Sequence, residues 1–334
     1  VRLPELDEYT QTLPFCERIP DEKLRAIVRN SVSRVWKPHG CPLPPFNGTK
    51  FAQLLARSEQ YPAGRYLYFV GDSTLMHMYD SMVCLLGSAV VTRSESKRAR
   101  EELDATYHTV PRVEGMRKLG VLALNGGGRV YFLRSNHLIS EVSGMISPHA
   151  HRVPRVMVQH NILNDRGDEE VEHIEYHEVE IPWALAVRHG DEGKGDIMVL
   201  HTGIHGHVHR DAVEHILAYL SKHFQGRVIY RTGVPGGEDC LAATAESKRS
   251  GPSIGPYAFR WGDFAQWDNL WIQSARSIGG FHLEILDITD LSVQRRDAHP
   301  TEAYGHVDCL HYCLPAGPVD VWNRILMMKI MNSP

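Results

Sequence analysis

Apolar runs and amphipathic segments alternate along the chain, and this alternation predicts an α/β fold. Short runs typical of buried strands lie at 65–70, 197–200, 227–230 and 282–288. Helical spacing of apolar residues marks the segments between and beside them, at 21–36, 50–59, 74–87, 208–223, 263–278 and 318–331. Strands that alternate with helices favour a mostly parallel sheet with helices on both faces, a three-layer α/β/α arrangement. Ligands of such sheets bind beyond the carboxyl ends of the strands.

The middle of the chain departs from this alternation. Residues 121–124 and 130–133 are apolar runs joined by Asn125 and three glycines, which predicts a β-hairpin. A phosphate cradle is the alternative interpretation of the glycines, but it needs a helix after them, and none is indicated. The charged stretch 95–106 is typical of a solvent-facing helix. Residues 233–256 are rich in Gly, Pro and Ser and predict a long loop.

Composition argues against two classes of protein. With 36 Lys and Arg against 40 Asp and Glu, the formal net charge of −4 does not suit a protein built mainly to bind nucleic acid. No stretch approaches the roughly 20 apolar residues of a membrane helix, and no signal-peptide pattern is present. The chain begins at Val1, and we expect any membrane attachment to come from an N-terminal anchor outside this chain. Its 334 residues, 43% of them hydrophobic, suffice for one large core or two modest ones.

Two features favour the secretory pathway, either the Golgi lumen or the outside of the cell. Asn47-Gly48-Thr49 is a glycosylation sequon in a Pro-rich stretch. The cysteines form no CxxC pair, which disfavours a zinc ribbon, and their even number allows three disulfides in an oxidising compartment. There are six of them: Cys16, Cys41, Cys84, Cys240, Cys309 and Cys313.

Ser73 lies where a predicted strand meets a predicted helix, in the stretch YLYFVGDST. A hydroxyl at the start of a helix lies beside backbone N–H groups and the positive end of the helix dipole. The same groups suit an oxyanion that forms when a serine attacks an acyl carbonyl, and Gly71 permits the tight turn. Serine is also a favoured helix cap. From this stretch alone, nucleophile and cap remain equally good interpretations of Ser73.

A serine nucleophile needs a base, and the base needs an orienting carboxylate. Asp308 and His311 are three residues apart near the C-terminus, a spacing that places both side chains on one side of a turn or helix. A surface Asp and His in a loop is the alternative.

A second serine, Ser253 in GPSIG, matches a hydrolase pattern but lacks the required strand and helix. His205 and His209 have the i, i+4 spacing of a metal site, but glycines interrupt the pattern and we predict no metal.

Six blocks together resemble one family, the PC-esterases, and especially the plant trichome-birefringence-like polysaccharide O-acetyltransferases. The resemblance covers roughly residues 35–330. The GDS and DCxHxCLP blocks, in which Ser73 and Asp308 are 235 residues apart (308 − 73), are specific together, although neither block is specific alone. The blocks occur in the order VWKPHGCPLPPF, YFVGDSTLMHMYDSMVCLLG, DIMVLHTG, VIYRTGVPGG, LDITDLSVQRRDAHP and VDCLHYCLPAGPVDVWNRIL.

The resemblance implies a flavodoxin-like SGNH/GDSL fold with Ser73 as nucleophile, His311 as general base and Asp308 as its orienter. We expect an N-terminal extension over 1–48, packed on a catalytic domain over 49–334 with loop insertions at about 88–190 and 233–262. The resemblance also implies a Cys240–Cys309 disulfide. The partners of the other four cysteines stay open.

The chain departs from the family where FNTG is usual and this sequence reads Leu200-His201-Thr202-Gly203. We therefore expect a His201 N–H to replace an Asn in the oxyanion hole, which Gly71, Asp72 and Gly203 would border. The aromatic pair usual after that motif is also absent. Arg134 and Arg231 are candidate substrate contacts, and a structural ion pair is the alternative for either arginine.

The expected activity is transfer of an acetyl group to a hydroxyl of a polysaccharide or other glycan. No bound cofactor is expected, and a small acetyl donor serves as co-substrate. An esterase that uses the same three residues is the first alternative. It differs from the transferase only in the acceptor of the acyl group, which is water rather than a sugar hydroxyl. A glycan-binding protein without catalysis is the second.

Overall fold

The computed structural model describes most of the predicted core. It covers residues 43–95, 119–135, 182–202, 210–234, 263–295, 310–312 and 317–332, with short pieces at 138, 140–141, 155–158, 162–163, 169–170, 177–180, 298–299 and 314. The helices are α1 Gly48–Leu55, α2 Ser73–Leu86, α3 Arg210–His223, α4 Phe264–Ser277, α5 Thr289–Val293 and α6 Pro318–Asn332. Short 3₁₀ helices cover Gly87–Ala89, Pro182–Ala186 and Asp191–Gly193.

A seven-stranded sheet forms the centre of the fold. Its strands are β1 Tyr66–Gly71, β2 Val90–Glu95, β3 Leu119–Leu124, β4 Arg129–Arg134, β10 Ile197–Leu200, β11 Arg227–Arg231 and β12 Leu283–Leu286. Smaller sheets contain β5 Ser140–Glu141, β6 Arg155–Val158 and β9 His177–Glu180, and separately β7 Ile162–Leu163 and β8 Glu169–Glu170. The central order is β12-β11-β10-β1-β4-β3-β2. The strands from β12 to β4 pair in parallel, and β3 pairs antiparallel with both β4 and β2.

Five parallel strands confirm the predicted mostly parallel α/β fold. In chain order they are β1, β4, β10, β11 and β12, and their spatial order is the flavodoxin-like 2-1-3-4-5. The crevice of such a sheet opens at its switch point, beside the carboxyl end of β1. The residues that follow β1 and β10, including Ser73 and His201, therefore meet at one edge.

Side chains of the sheet alternate between two apolar layers, as the period of two in a strand requires. Leu67 and Phe69 of β1 lie in a buried cluster with α1, α2 and α6. Tyr68 and Val70 lie in a second cluster, on the opposite face, with α3 and α4. The three-layer α/β/α prediction is thereby confirmed.

Helix α6 holds α2, the helix that carries Ser73, against the sheet. The Nδ2 of Asn323 donates to the Met78 carbonyl at 2.8 Å and to the Ser81 hydroxyl at 2.9 Å. That hydroxyl donates to Asp320 at 2.6 Å. Because Asn323 is fully buried, these bonds fix the two helices in one register.

The predicted hairpin is confirmed, since β3 and β4 pair antiparallel across a turn in which Gly126 and Gly127 both have positive φ. Because β4 also pairs with β1 along its whole length, the insertion predicted at about 88–190 includes three strands of the central sheet.

The charged helix predicted at 95–106 is wrong at its first residue, Glu95, which ends β2. The rest of that segment, the helix at 21–36 and most of the 233–256 loop lie outside the described residues.

Candidate active site

The cap of α2 is Asp72, not Ser73. The Oδ1 of Asp72 accepts from the N–H of Thr74 at 2.9 Å and from the N–H of Leu75 at 3.4 Å. Ser73 is the first residue of the helix, and among the described residues no group accepts a hydrogen bond from its N–H. The capping alternative therefore does not account for the Ser73 hydroxyl.

The Ser73 hydroxyl lies beside the predicted general base, His311. The Nε2 of His311 lies 2.9 Å from the Oγ of Ser73, within hydrogen-bonding distance. Ser73 is 8% exposed, so the pair lies at a largely covered site next to the carboxyl end of β1. A hydroxyl beside an imidazole at this distance is placed to lose its proton to the ring.

Two further histidines hold His311 in place. The Nδ1 of His299 lies 2.7 Å from the backbone carbonyl of His311, and since a carbonyl only accepts, that nitrogen carries the proton. The His299 ring also packs on Tyr312, with centroids 4.1 Å apart. The His77 ring, one turn along α2 from Ser73, packs on the His311 ring at 4.6 Å.

His201 ends β10 beside the turn after β1, as predicted, but both of its donor groups are occupied. Its Nδ1 lies 3.1 Å from the Arg231 carbonyl and so carries the proton of the neutral ring. Its backbone N–H donates to the Val70 carbonyl at 3.3 Å. Burial, together with the smaller effect of the Arg231 charge, lowers the pKa of His201 to about 3. At neutral pH the other ring nitrogen, Nε2, is therefore an acceptor, which argues against His201 as the oxyanion donor.

Arg231 lies in the protein interior rather than at the open site. Its side chain has 0% exposure and donates to the Thr74 hydroxyl and, at 3.2 Å, to the Thr232 carbonyl. The Thr74 hydroxyl in turn donates to the Asp72 carboxylate at 2.7 Å. Burial lowers the pKa of Arg231 from its ordinary value, and the nearby Asp72 opposes that effect. This buried network supports the first turn of α2, and the predicted substrate contact for Arg231 is replaced by a structural role.

Gly71 and Arg134 lie side by side at the carboxyl edge, since they are register partners of β1 and β4. A Cβ on Gly71 would lie 2.6 Å from the carbonyl oxygen of His201, so only glycine allows the two strand ends to approach this closely. Arg134 is half-buried at the end of β4. Packing therefore requires glycine at position 71, in addition to the tight turn predicted from the sequence.

Several predicted site residues fall outside the described part of the chain. These are Asp308, Gly203, Ser253, His205, His209, Cys16, Cys41, Cys240, Cys309 and Cys313, so the orienting carboxylate, the expectation of no metal at the histidines and the disulfide pairs stay predictions. Cys84 lies half-buried on α2. Asn47 is exposed, and its Oδ1 caps α1 by accepting from the Lys50 N–H at 2.8 Å.

Sequence reasoning did not identify His77, His299 or Thr74 as parts of the site. His77 is one helical turn after Ser73, so helical spacing placed it on the same face of α2. No comparable local pattern points to His299, whose contact with His311 arises from the fold of the chain.

Comparisons with known proteins agree with the motif resemblance. Residues 208–329 match the sequence model of the PC-Esterase family, described as a GDSL/SGNH-like acyl-esterase family found in Pmr5 and Cas1p. The chain is 26% identical to xylan O-acetyltransferase 13 of Oryza sativa subsp. japonica over 89% of its own length and 61% of that protein.

Two other plant relatives are similarly distant. Identity is 24% to xyloglucan O-acetyltransferase 1 of Populus trichocarpa, over 88% of this chain and 70% of the relative. Identity to protein trichome birefringence-like 40 of Arabidopsis thaliana is also 24%, over 89% of this chain and 76% of that protein. The chain thus spans 61% of the length of the rice protein and more of the other two. These matches confirm the predicted resemblance to the PC-esterase family.

Proposed function

We propose that the protein is an O-acetyltransferase that moves an acetyl group to a hydroxyl of a polysaccharide or other glycan through an acetyl ester on Ser73. The observation that carries the proposal is the 2.9 Å separation between the Ser73 Oγ and the His311 Nε2. A second observation supports it, because Asp72 caps the helix and leaves the Ser73 hydroxyl to the imidazole.

In the first half-reaction, the Nε2 of His311 takes the hydroxyl proton while the Ser73 Oγ bonds to the acetyl carbonyl carbon. The tetrahedral intermediate carries a negative oxygen. The Ser73 N–H, at the positive end of the α2 dipole, is the donor we assign to it. Collapse breaks the bond to the donor's leaving group, which receives the proton from His311. The acetyl group is now an ester of Ser73.

In the second half-reaction, His311 removes the proton of a glycan hydroxyl, whose oxygen attacks the acetyl carbonyl. Collapse of this intermediate breaks the bond to the Ser73 Oγ, which recovers the proton from His311. The cycle needs the Nδ1 of His311 protonated and oriented, and we assign that task to the Asp308 carboxylate. Arg134 is assigned to the surface that receives the glycan.

The names of the relatives support the proposed acceptor. The relatives named for a substrate are xylan or xyloglucan O-acetyltransferases, which supports a polysaccharide as the acceptor here. The proposed compartment is the secretory pathway, on the strength of the Asn47 sequon and the even number of cysteines, and the proposed donor is a small activated acetyl compound. No helix among the described residues is long and apolar enough to cross a bilayer.

Hydrolysis is the second candidate, because the family description is that of an acyl-esterase. Water then attacks the Ser73 ester in place of the sugar hydroxyl, and His311 takes its proton. The same residues serve both reactions, and the acceptor alone distinguishes them.

The experiment that separates these functions incubates the purified protein with an activated acetyl ester, with and without xylan-derived or xyloglucan-derived oligosaccharide. Acetylated oligosaccharide, detected by mass spectrometry, is the expected product. Acetate without acetylated sugar overturns the transferase proposal in favour of the esterase. Binding of oligosaccharide with neither product favours the glycan-binding alternative. Ser73→Ala is the inactive variant, and Ser88→Ala, an exposed serine beyond α2, is its matched control.

A further inference from the structure

A polar pocket of about 610 Å³ lies at the amino ends of the central strands, at the edge of the sheet opposite Ser73. Arg65 precedes β1, Gly195 precedes β10 and Arg227 begins β11, and all three line it. Since β1 alone extends over about 20 Å, the pocket is well separated from the Ser73–His311 pair. It therefore plays no part in the chemistry proposed above.

The pocket has an excess of positive charge. Four of its fourteen lining residues are cationic, and none of the fourteen is Asp or Glu. Five further lining residues carry neutral hydrogen-bonding side chains: Gln53, Ser58, Gln60, Tyr61 and Gln225. The cationic residues are Arg57, Arg65, Lys194 and Arg227.

Only Arg227 among these cations has a carboxylate partner in the described structure. Its Nε and one terminal nitrogen donate to Glu284 at 2.7 and 2.9 Å. Asp196, the nearest buried acid behind β1, accepts from the Arg188 guanidinium and from the Tyr66 N–H at 2.8 Å. Glu284 and Asp196 are thus already bound to Arg227 and Arg188, and neither carboxylate neutralises Arg57, Arg65 or Lys194.

Within the part of the chain that the structure describes, the side chains of Arg57, Arg65 and Lys194 form no hydrogen bond or ion pair. The Nε of Arg65 is buried as well as unbonded. Its guanidinium packs over the Tyr61 ring, 5.2 Å from the centroid, and the ring lies so close to Gly195 that a Cβ there would be 2.3 Å from it. A buried donor without an acceptor is costly, which indicates that something outside the protein supplies the acceptor.

We infer that this pocket binds an oxyanion, either the carboxylate of an acidic sugar or a phosphate group. A guanidinium with unused donors matches the two oxygens of such a group, and the ammonium of Lys194 adds a second charge. The anion satisfies the Arg65 Nε and offsets the mutual repulsion of three like charges. The inference is independent of the proposed acetyl transfer.

Direct binding tests the inference. The purified chain is titrated by calorimetry at constant ionic strength with inorganic phosphate, with a glucuronate-bearing oligosaccharide and with a neutral oligosaccharide of equal length. Saturable binding of phosphate or of the acidic oligosaccharide, and none of the neutral one, is expected. The stronger of the two anions identifies the source of the oxyanion.

Charge-neutral variants locate the site. Arg65→Gln and Lys194→Gln are each expected to weaken binding about ten- to a hundredfold, which corresponds to one lost charge-assisted hydrogen bond. Lys222→Gln, which removes an exposed lysine on α3, is the matched control and should bind as the parent does. The exposed Lys194 keeps the test valid if Arg65→Gln folds poorly.

The inference is overturned if neither anion binds saturably. It is equally overturned if Arg65→Gln and Lys194→Gln, both folded by circular dichroism, bind as tightly as Lys222→Gln. An unchanged rate of acetyl transfer in these variants is compatible with the inference, because the pocket lies away from Ser73.

Discussion

The Oγ of Ser73 and the Nε2 of His311 lie 2.9 Å apart although 238 residues separate them in the chain. Ser73 reaches this position because β1 ends at the switch point of the sheet and α2 begins there. His311 reaches it because His299 binds its carbonyl and His77 packs on its ring. The pair is therefore a product of the whole fold rather than of one local motif.

Removing the His77 ring should lower turnover without weakening substrate binding. His77→Ala leaves a gap beside the His311 imidazole, and a displaced base costs about ten- to a hundredfold in kcat with KM little changed. His77→Phe keeps a ring of similar shape and should recover part of the loss. Steady-state kinetics of both variants measure this split, and His215→Ala on α3 is the control. Unchanged kcat in His77→Ala contradicts a positioning role.

Loss of the Asp72 cap should destabilise the protein. Asp72→Ala removes the acceptor of the Thr74 and Leu75 N–H groups and takes from the buried Arg231 the negative charge that acts on it most strongly. The expected loss in unfolding free energy is at least about 1 kcal/mol. Asp72→Asn keeps the capping oxygen and should lose less. Urea unfolding measures both, and equal stability of the two variants would show that the cap is not the important contact.

An alanine at Gly71 should disturb the site through the backbone. Its Cβ would lie 2.6 Å from the His201 carbonyl oxygen and 2.8 Å from a methyl carbon of Leu75. Overpacking of this kind costs about 1–3 kcal/mol, and it also shifts the turn that carries Ser73. Gly279→Ala is the matched control, since no atom lies within 4 Å of the added Cβ. Similar melting temperatures of the two variants contradict the close approach of β1 and β10.

The buried imidazole of His201 should make stability depend on pH. Its folded-state pKa is lowered to about 3 from the ordinary 6.5, so between these values the unfolded chain binds a proton that the folded protein does not. Stability therefore falls as the pH is lowered from about 7 toward 3, by at most about 1.4 kcal/mol per pH unit. His201→Asn should flatten this slope in urea unfolding at a series of pH values. Identical slopes in the two proteins refute the lowered pKa.

Much of the fold could be predicted because burial leaves a strong pattern. The strand predicted at 197–200 has those bounds in the structure. All four of its residues are apolar and buried, and polar residues lie directly before and after them, at Asp196 and His201. The match at 227–231 is within one residue for the same reason. Glu95 was assigned to a helix because charge alone does not distinguish an exposed helix from an edge strand.

The candidate site was predicted only in part, since local sequence does not record contacts between distant segments. Asp and Ser both cap helices well, so nothing in GDS decided which of them caps α2. Arg231 resembled a substrate contact because it ends a strand, whereas the structure buries it completely beneath that helix. The cationic pocket was not identified, because Arg57, Arg65 and Lys194 come together only when β1 and β10 pair.

The central claim is that Ser73 carries the acetyl group, and mass spectrometry tests it most directly. The protein is mixed briefly with an activated acetyl ester in the absence of glycan, quenched in acid and digested. We predict one acetyl group on the peptide that contains Ser73, its loss on addition of acceptor oligosaccharide, and its absence in Ser73→Ala. His311→Ala should form it at least about a thousandfold more slowly. Acetyl transfer by Ser73→Ala at the parent rate, or an acetyl group found only at another residue, would contradict the account.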